Sequence, residues 1–394
     1  MTLLKNPVPV VDLFAGPGGL GEGFNAARDE QGDICFKTVL SIEKDIHAHM
    51  TLELRAFFRA FGVNVPEDYY LFLKGEISRE ELFRRHEEEA KAVAKQAWLA
   101  ELGSAEFPPE YVDRRIREAL AGQDIWALIG GPPCQAYSTV GRSRMRGADP
   151  AAYEADHRHF LYREFLRILA VHRPPVFVME NVKGLLSARV NGQSTFEKII
   201  EDLKNPMGHQ GSYAPGKSIN YENLHYNLFS VSKGQGNLLV PTEVSQYVVE
   251  SEKHGVPQRR HRVIVIGIRD DFEIIPDKLP LLDTMFSTQD AIGDLPRLRS
   301  SLSKEDDSIT SWLNAVRSIA EYHWLNTPDF NHEVRNKIIS TCERLIDSLT
   351  KGGRFIPYQV KPRILHDWYH DDRLHGVCNH TTKSHMRKDL HRYM

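Results

Sequence analysis

Four short runs in the first half of the chain are mainly apolar: VPVVDLF (8–14), KTVLSIE (37–43), IWALIGG (125–131) and PVFVMENV (175–182). Runs of that length without strict polar alternation predict strands buried on both faces, as in a parallel sheet. Between and beyond them, apolar positions recur at helical spacing near 159–172 and in EKIIEDL (197–203). Strands alternating with helices predict an α/β fold, doubly wound and Rossmann-like, with a mostly parallel sheet. YNLFSV (226–231), SQYVVES (245–251) and HRVIVIGIR (261–269) predict further strands. Residues 44–120 are helical in composition and hold the charge-rich run SREELFRRHEEEAKAVAKQAW (78–98), which reads as a helical insertion with a solvated face. After a proline-bearing link, helical segments near 311–324 and 333–350 predict a mainly helical C-terminal extension. The expected division is 1–280 and 281–394.

Composition changes this picture little: 41% hydrophobic and 26% charged among 394 residues is usual for a globular protein. No apolar stretch nears the roughly 18 residues a membrane span needs. The N-terminus lacks the apolar core and cleavage site of a secretory leader, so no membrane partner is expected. Cys35, Cys134, Cys342 and Cys378 have no paired spacing, which predicts reduced thiols and a cytoplasmic location. Charge adds one feature. The net value is −3, yet Lys351–Met394 carries nine Lys/Arg against four Asp, a local +5. That tail is a candidate surface for an anionic partner. Its histidines, among them His366, His370 and His380, fit no zinc-finger spacing with Cys378, and no metal is expected.

The candidate chemistry lies at strand ends. DLFAGPGGLGEGF (12–24) joins a strand to a helix, where a doubly wound fold receives a nucleotide-like ligand. Glycines let the backbone approach such a ligand, and the helix start offers free N–H groups. Glu43 ends the next strand about 24 residues after Gly19, a spacing that suits a carboxylate accepting from ribose hydroxyls. GGPPCQAYS (130–138) fixes the Cys134 thiol behind two prolines. A packing cysteine needs no such setting. A nucleophile does, because it must be exposed, oriented and reachable.

MENV (179–182) and HGVPQRRHRVIVIG (254–267) complete a set of motifs whose order makes residues 8–270 resemble the cytosine-5 DNA methyltransferases, which use S-adenosylmethionine. The resemblance implies a methyltransferase catalytic domain over 1–280 that methylates C5 of a cytosine flipped out of duplex DNA, in a restriction–modification setting. It implies that Cys134 adds to C6 of the base and that Glu180 is the acid at N3 and the exocyclic amine. Asn181 then shapes the backbone, Arg262 reaches the cytosine O2, and Arg260 meets the phosphate backbone, with Gln258 a structural partner. It also assigns the cofactor to Phe14, Pro17, Gly19 and Leu20, its ribose to Glu43, the edge of its methionine pocket to Pro133 and its adenine to Leu161. Arg142, Arg144 and Arg146 either close over phosphates or form a plain polar loop.

The chain departs from the family pattern in places. Lys44 stands where many members have an aromatic residue. The acid that meets adenine is open between Glu76 of KGEIS and Asp124 of GQDIW. Two motifs that follow the family's recognition domain, one containing Arg-Glu and one like QxGNxVP, are not found after residue 270. KGQGNLLVP (233–241) precedes the arginine motif and reads as a turn between strands. The extension therefore leads toward a missing or incomplete target-recognition domain. Two alternatives stand beside the complete enzyme. One is a catalytically incomplete subunit or truncated product that binds cofactor and DNA and needs a second polypeptide. The other is RNA cytosine methylation by the same chemistry.

Overall fold

The computed structural model describes residues 6–133, 157–190, 193–207, 225–232, 244–345, 349–359 and 363–393. Its contacts divide the chain into two units, Met1–Val65 with His86–Ser287 and Pro66–Arg85 with Thr288–Met394. Among the described residues no helix is long and apolar enough to cross a membrane.

In the first unit β1 (Val8–Leu13) is followed by α1 (Gly19–Ala26), β2 (Phe36–Glu43) and α2 (Ile46–Ala60). Two helices of the second unit come next, α3 (Glu67–Lys74) and α4 (Arg79–Arg85). The first unit resumes with α5 (Glu87–Gln96), β3 (Ala97–Leu99), α6 (Pro109–Leu120) and β4 (Ala127–Gly130). After them come α7 (His157–His172), β5 (Val176–Val182), the small hairpin of β6 (Arg189–Val190) and β7 (Gln193–Ser194), and α8 (Thr195–Lys204). β8 (Tyr226–Phe229), β9 (Val248–Glu250) and β10 (His261–Arg269) close the unit.

The sheet runs β3-β2-β1-β4-β5-β10-β8, with β9 on β10. The first five strands are parallel, and β10 is antiparallel to each of its neighbours. Strand order reverses at β1, which lies between β2 and β4, and such a switch point opens a crevice at the carboxyl ends of the strands. Alternate positions feed opposite faces. Val11, Leu13 and Leu128 join the large core with Ile116, Phe165 and Phe196, while Val10, Ile129 and Val178 pack with Leu20 and Phe24 of α1. Helices on both faces explain why these strands read as apolar without alternation.

Two features depart from the helical insertion expected over 44–120. β3 is an edge strand, pairing Ser41–Glu43 with Ala97–Leu99, because buried Ala97 packs with Ala15 and Leu52. Residues 66–85 belong to the second unit. There the Tyr70 hydroxyl meets Asp371 Oδ2 at 2.9 Å, and Arg373 lies over the Tyr70 ring. Arg354 also donates to the Phe72 carbonyl at 2.7 Å. The core of that unit is Trp312, Leu313, Val316, Ile319 and Leu325 with Cys342 and Leu390. Beside its helices it holds a two-stranded pair, Gly352–Pro357 with Gly376–Thr381.

Candidate active site

The crevice at β1 and β2 is built largely from backbone. Phe14, Gly16 and Gly18 all have positive φ, 57°, 57° and 89°, so the loop after β1 coils back on itself before α1. Its Gly16 N–H donates to Glu43 Oε2 at 2.8 Å. The N–H groups of Lys44 and Asp45 donate to Glu43 Oε1 at 2.9 and 2.7 Å. A Cβ on Gly18 would stand 2.9 Å from Leu52 Cδ1 of α2. One on Gly21 would stand 2.9 Å from Asp12 Oδ2, so the start of α1 lies directly on that carboxyl. Asp12 is 1% exposed, and its Oδ2 has no partner among the described residues. Burial, helped by the nearby Glu43 charge and opposed by Arg59, pushes its carboxyl up to about 8. Arg59, ion-paired with Glu22, is itself lowered to about 10 by burial.

A cleft opens beside this loop, lined by Phe14, Ile42, Glu43, Lys44, Ala100, Leu102, Gly131, Pro133 and Leu161. Of the seven positions expected to hold cofactor, Phe14, Glu43, Pro133 and Leu161 come together here. Pro17 and Gly19 are exposed and off the cleft, and Leu20 packs into the apolar cluster under the sheet. Neither acid left open in the sequence is among the residues that line this cleft. Glu76 falls within Pro66–Arg85 of the second unit, and Asp124 is exposed at the entry to β4, whereas the cleft is at the strand exits. Instead β3 delivers Ala100 and Leu102 to the cleft, with Glu101 between them pairing with Lys44 at 2.9 Å. Reasoning from sequence missed this segment because its strand is only three residues long and adjoins a charged helix. The remaining signal was WLAEL itself, an apolar pair flanking an acid.

The crevice near β5 is built from side chains instead. Glu180 on β5 and Arg262 on β10 share one face of an antiparallel pair whose register matches Arg262 with Val182 and Ile264 with Glu180. Arg262 Nε meets Glu180 Oε1 at 2.7 Å, and Arg262 Nη1 donates to the His261 carbonyl at 2.8 Å. Gly131 packs against the same carboxylate, since a Cβ there would lie 3.1 Å from Glu180 Oε2. Asn181 Nδ2 donates to the Pro132 carbonyl at 3.1 Å, and its Oδ1 accepts from Val182 N–H at 2.8 Å, tying the proline loop to β5. Arg260 is exposed on the preceding turn. Its N–H donates to Ser251 Oγ and to the Gln258 carbonyl, both at 3.0 Å, while Ser251 Oγ donates to Gln258 at 2.6 Å. Cys134, with Arg142, Arg144 and Arg146, lies outside the described residues, as does all of KGQGNLLVP. Among the described residues no three His, Cys, Asp or Glu side chains gather as a metal site would require.

The chain matches the family model of the C-5 cytosine-specific DNA methylase over residues 94–221 and 243–389. That match runs past residue 270, where the resemblance was expected to end. Type II methyltransferase M.Bpa9945I of Bacillus paralicheniformis is 26% identical and aligns with 97% of this chain and 85% of its own length. Type II methyltransferase M.DdeI of Desulfomicrobium norvegicum is 24% identical over 73% of this chain and 48% of itself. DNA (cytosine-5-)-methyltransferase M.ApeKI of Aeropyrum pernix is 36% identical over a shorter stretch, 39% of this chain and 29% of itself. The chain thus spans most of the first relative and less than half of the other two. With the family model covering more than half of its residues, the chain belongs to the C-5 cytosine-specific DNA methylase family.

Proposed function

We propose that this chain is a DNA (cytosine-5-)-methyltransferase of a restriction–modification system, acting on duplex DNA with the target base flipped out. The observation that carries the reading is the Glu180–Arg262 pair, 2.7 Å apart, against Gly131, which stands three residues before Cys134 in the chain. A carboxyl and a guanidinium at that place can meet the N3 edge and O2 of one cytosine. The Cys134 thiolate adds to C6, and Glu180 holds a proton at N3, so the electron pair of the C5–C6 double bond becomes available at C5. After methyl transfer to C5, removal of the C5 proton restores that double bond and expels the thiolate.

S-adenosylmethionine fits the donor set of the cleft, and when bound it supplies an electrophilic methyl group. Phe14, Ile42, Leu102 and Leu161 offer apolar walls for a purine. The Glu43 carboxylate spends three acceptor positions on backbone N–H groups, and a carboxylate has about four, which leaves one for a ribose hydroxyl. Incubation with tritiated S-adenosylmethionine and duplex DNA containing 5-fluorocytosine tests the reading. That base cannot lose its C5 substituent, so the chain should be trapped covalently and Cys134→Ser should not. No trapped complex with the wild-type chain, despite cofactor binding, would sink the proposal.

A further inference from the structure

A buried ionic cluster behind the cleft has no part in the chemistry above. Arg167 and Glu164 on α7 are 8% and 9% exposed. Arg167 Nε donates to Glu164 Oε2 at 3.0 Å, and its Nη1 donates to Asp113 Oδ1 on α6 at 2.8 Å. His172 Nε2 lies 3.0 Å from the same Asp113 oxygen. Burial would raise the Asp113 carboxyl, but hydrogen bonds from His172 and Arg167 outweigh it and hold the group low. Burial would likewise lower Arg167, and the Glu164 and Asp113 charges more than reverse that. Both therefore stand ionised.

Such a cluster is a poor adhesive. Desolvation cancels most of the Coulombic gain, and apolar side chains of similar size often hold two helices as well. Arg167 Nη2 is moreover buried without a partner among the described residues. The surroundings point to a different role. Glu164 packs on Gly103, where a Cβ would stand 3.3 Å from Glu164 Cγ. Gly103, at φ +77°, sits in the turn closed by Ser104 N–H donating to the Glu101 carbonyl at 3.2 Å. That turn carries Ala100 and Leu102 to the cleft, and Leu161, one helical turn before Glu164, lines the same cleft. Through Asp113, Arg167 also holds α6, the helix that follows the turn. α7 thus meets residues 101–113 at both ends, at Gly103 through Glu164, which Arg167 bonds, and at Asp113 through Arg167 itself.

We propose that the Glu164–Arg167 pair is a positioning element for the cofactor, holding the Ala100–Leu102 segment at the distance from Leu161 that an adenosine group requires. The inference rests on the cofactor reading of the cleft. Its test is S-adenosylmethionine affinity by calorimetry, with separate KM values for cofactor and duplex DNA and a melting temperature for each variant. Arg167→Met and Gly103→Ala should each weaken cofactor binding about tenfold, since small displacements of a positioning group carry large penalties. KM for DNA should stay within about twofold of wild type. Glu164→Gln, whose amide oxygen still accepts from Arg167 Nε, should retain most of the affinity. His172→Gln, at the far end of the cluster, should lower Tm and leave cofactor affinity alone. If Arg167→Met does not fold, Gly103→Ala carries the test by itself. Lowered Tm with unchanged cofactor affinity in both variants overturns the inference, provided Glu43→Ala does weaken binding. Unchanged affinity in Glu43→Ala as well would overturn the cofactor reading, and the inference with it.

Discussion

The two ends of the crevice are made of different material. At β1 and β2 the parts are backbone: three positive φ angles, and three N–H groups on one carboxylate. At β5 and β10 they are side chains, a carboxylate and a guanidinium brought together by strand register. Backbone shape tolerates changes in the side chains that merely decorate it and fails when φ or an N–H acceptor is lost. A pair of side chains behaves in the opposite way, for a single changed atom can remove its function while the fold stays intact.

The largest effect should therefore come from the side-chain end. Glu180→Gln keeps the shape and loses the acid, and kcat should fall about 10²–10⁴-fold, the usual worth of a positioned proton donor. Cofactor affinity should stay within about twofold, and a parallel loss of both would show the two ends to be one site. Glu43→Ala comes next. Leaving three N–H groups without their acceptor should cost about 1–3 kcal/mol of stability and weaken cofactor binding, both measurable by urea unfolding and calorimetry. Unchanged unfolding would mean the carboxylate does not hold the loop. Gly18→Ala meets both the φ of 89° and Leu52, and should cost roughly 1–3 kcal/mol, read from the same urea curves.

A further effect is a pH slope. The buried Asp12 carboxyl titrates near 8 in the folded chain, whereas an unfolded carboxyl loses its proton near 4. Between about pH 4 and 8 the folded state holds more protons, so rising pH erodes stability until about 8. Asp12→Asn cannot ionise, and its Tm relative to wild type should climb from pH 5 to 8.5. Parallel Tm curves would show that Asp12 titrates as in solution.

The same contrast explains what could be read in the chain beforehand. β1, β2, β4 and β5 were legible because burial on both faces writes itself as an apolar run. Glu43 was legible because it ends such a run, whereas Glu180 and Arg262 were named by the resemblance of MENV and QRRHR to the family's motifs. β3 was not, for its three residues follow directly on the charged helix α5. With it went Ala100 and Leu102. The strands Gly352–Pro357 and Gly376–Thr381 also escaped, since half-exposed residues leave no clean alternation. Nor could local pattern assign Pro66–Arg85 to the second unit, because that membership rests on partners some 300 positions away, such as Tyr70 with Asp371.

That long reach has a consequence for biosynthesis. A ribosome adding about 5–20 residues per second needs roughly 15–60 s to travel from Tyr70 to Asp371. For most of that interval α3 waits without the segment it packs on. The nascent chain must carry α3 as an unfinished loop, so the second unit can close only after residues as far as Asp371 have been made.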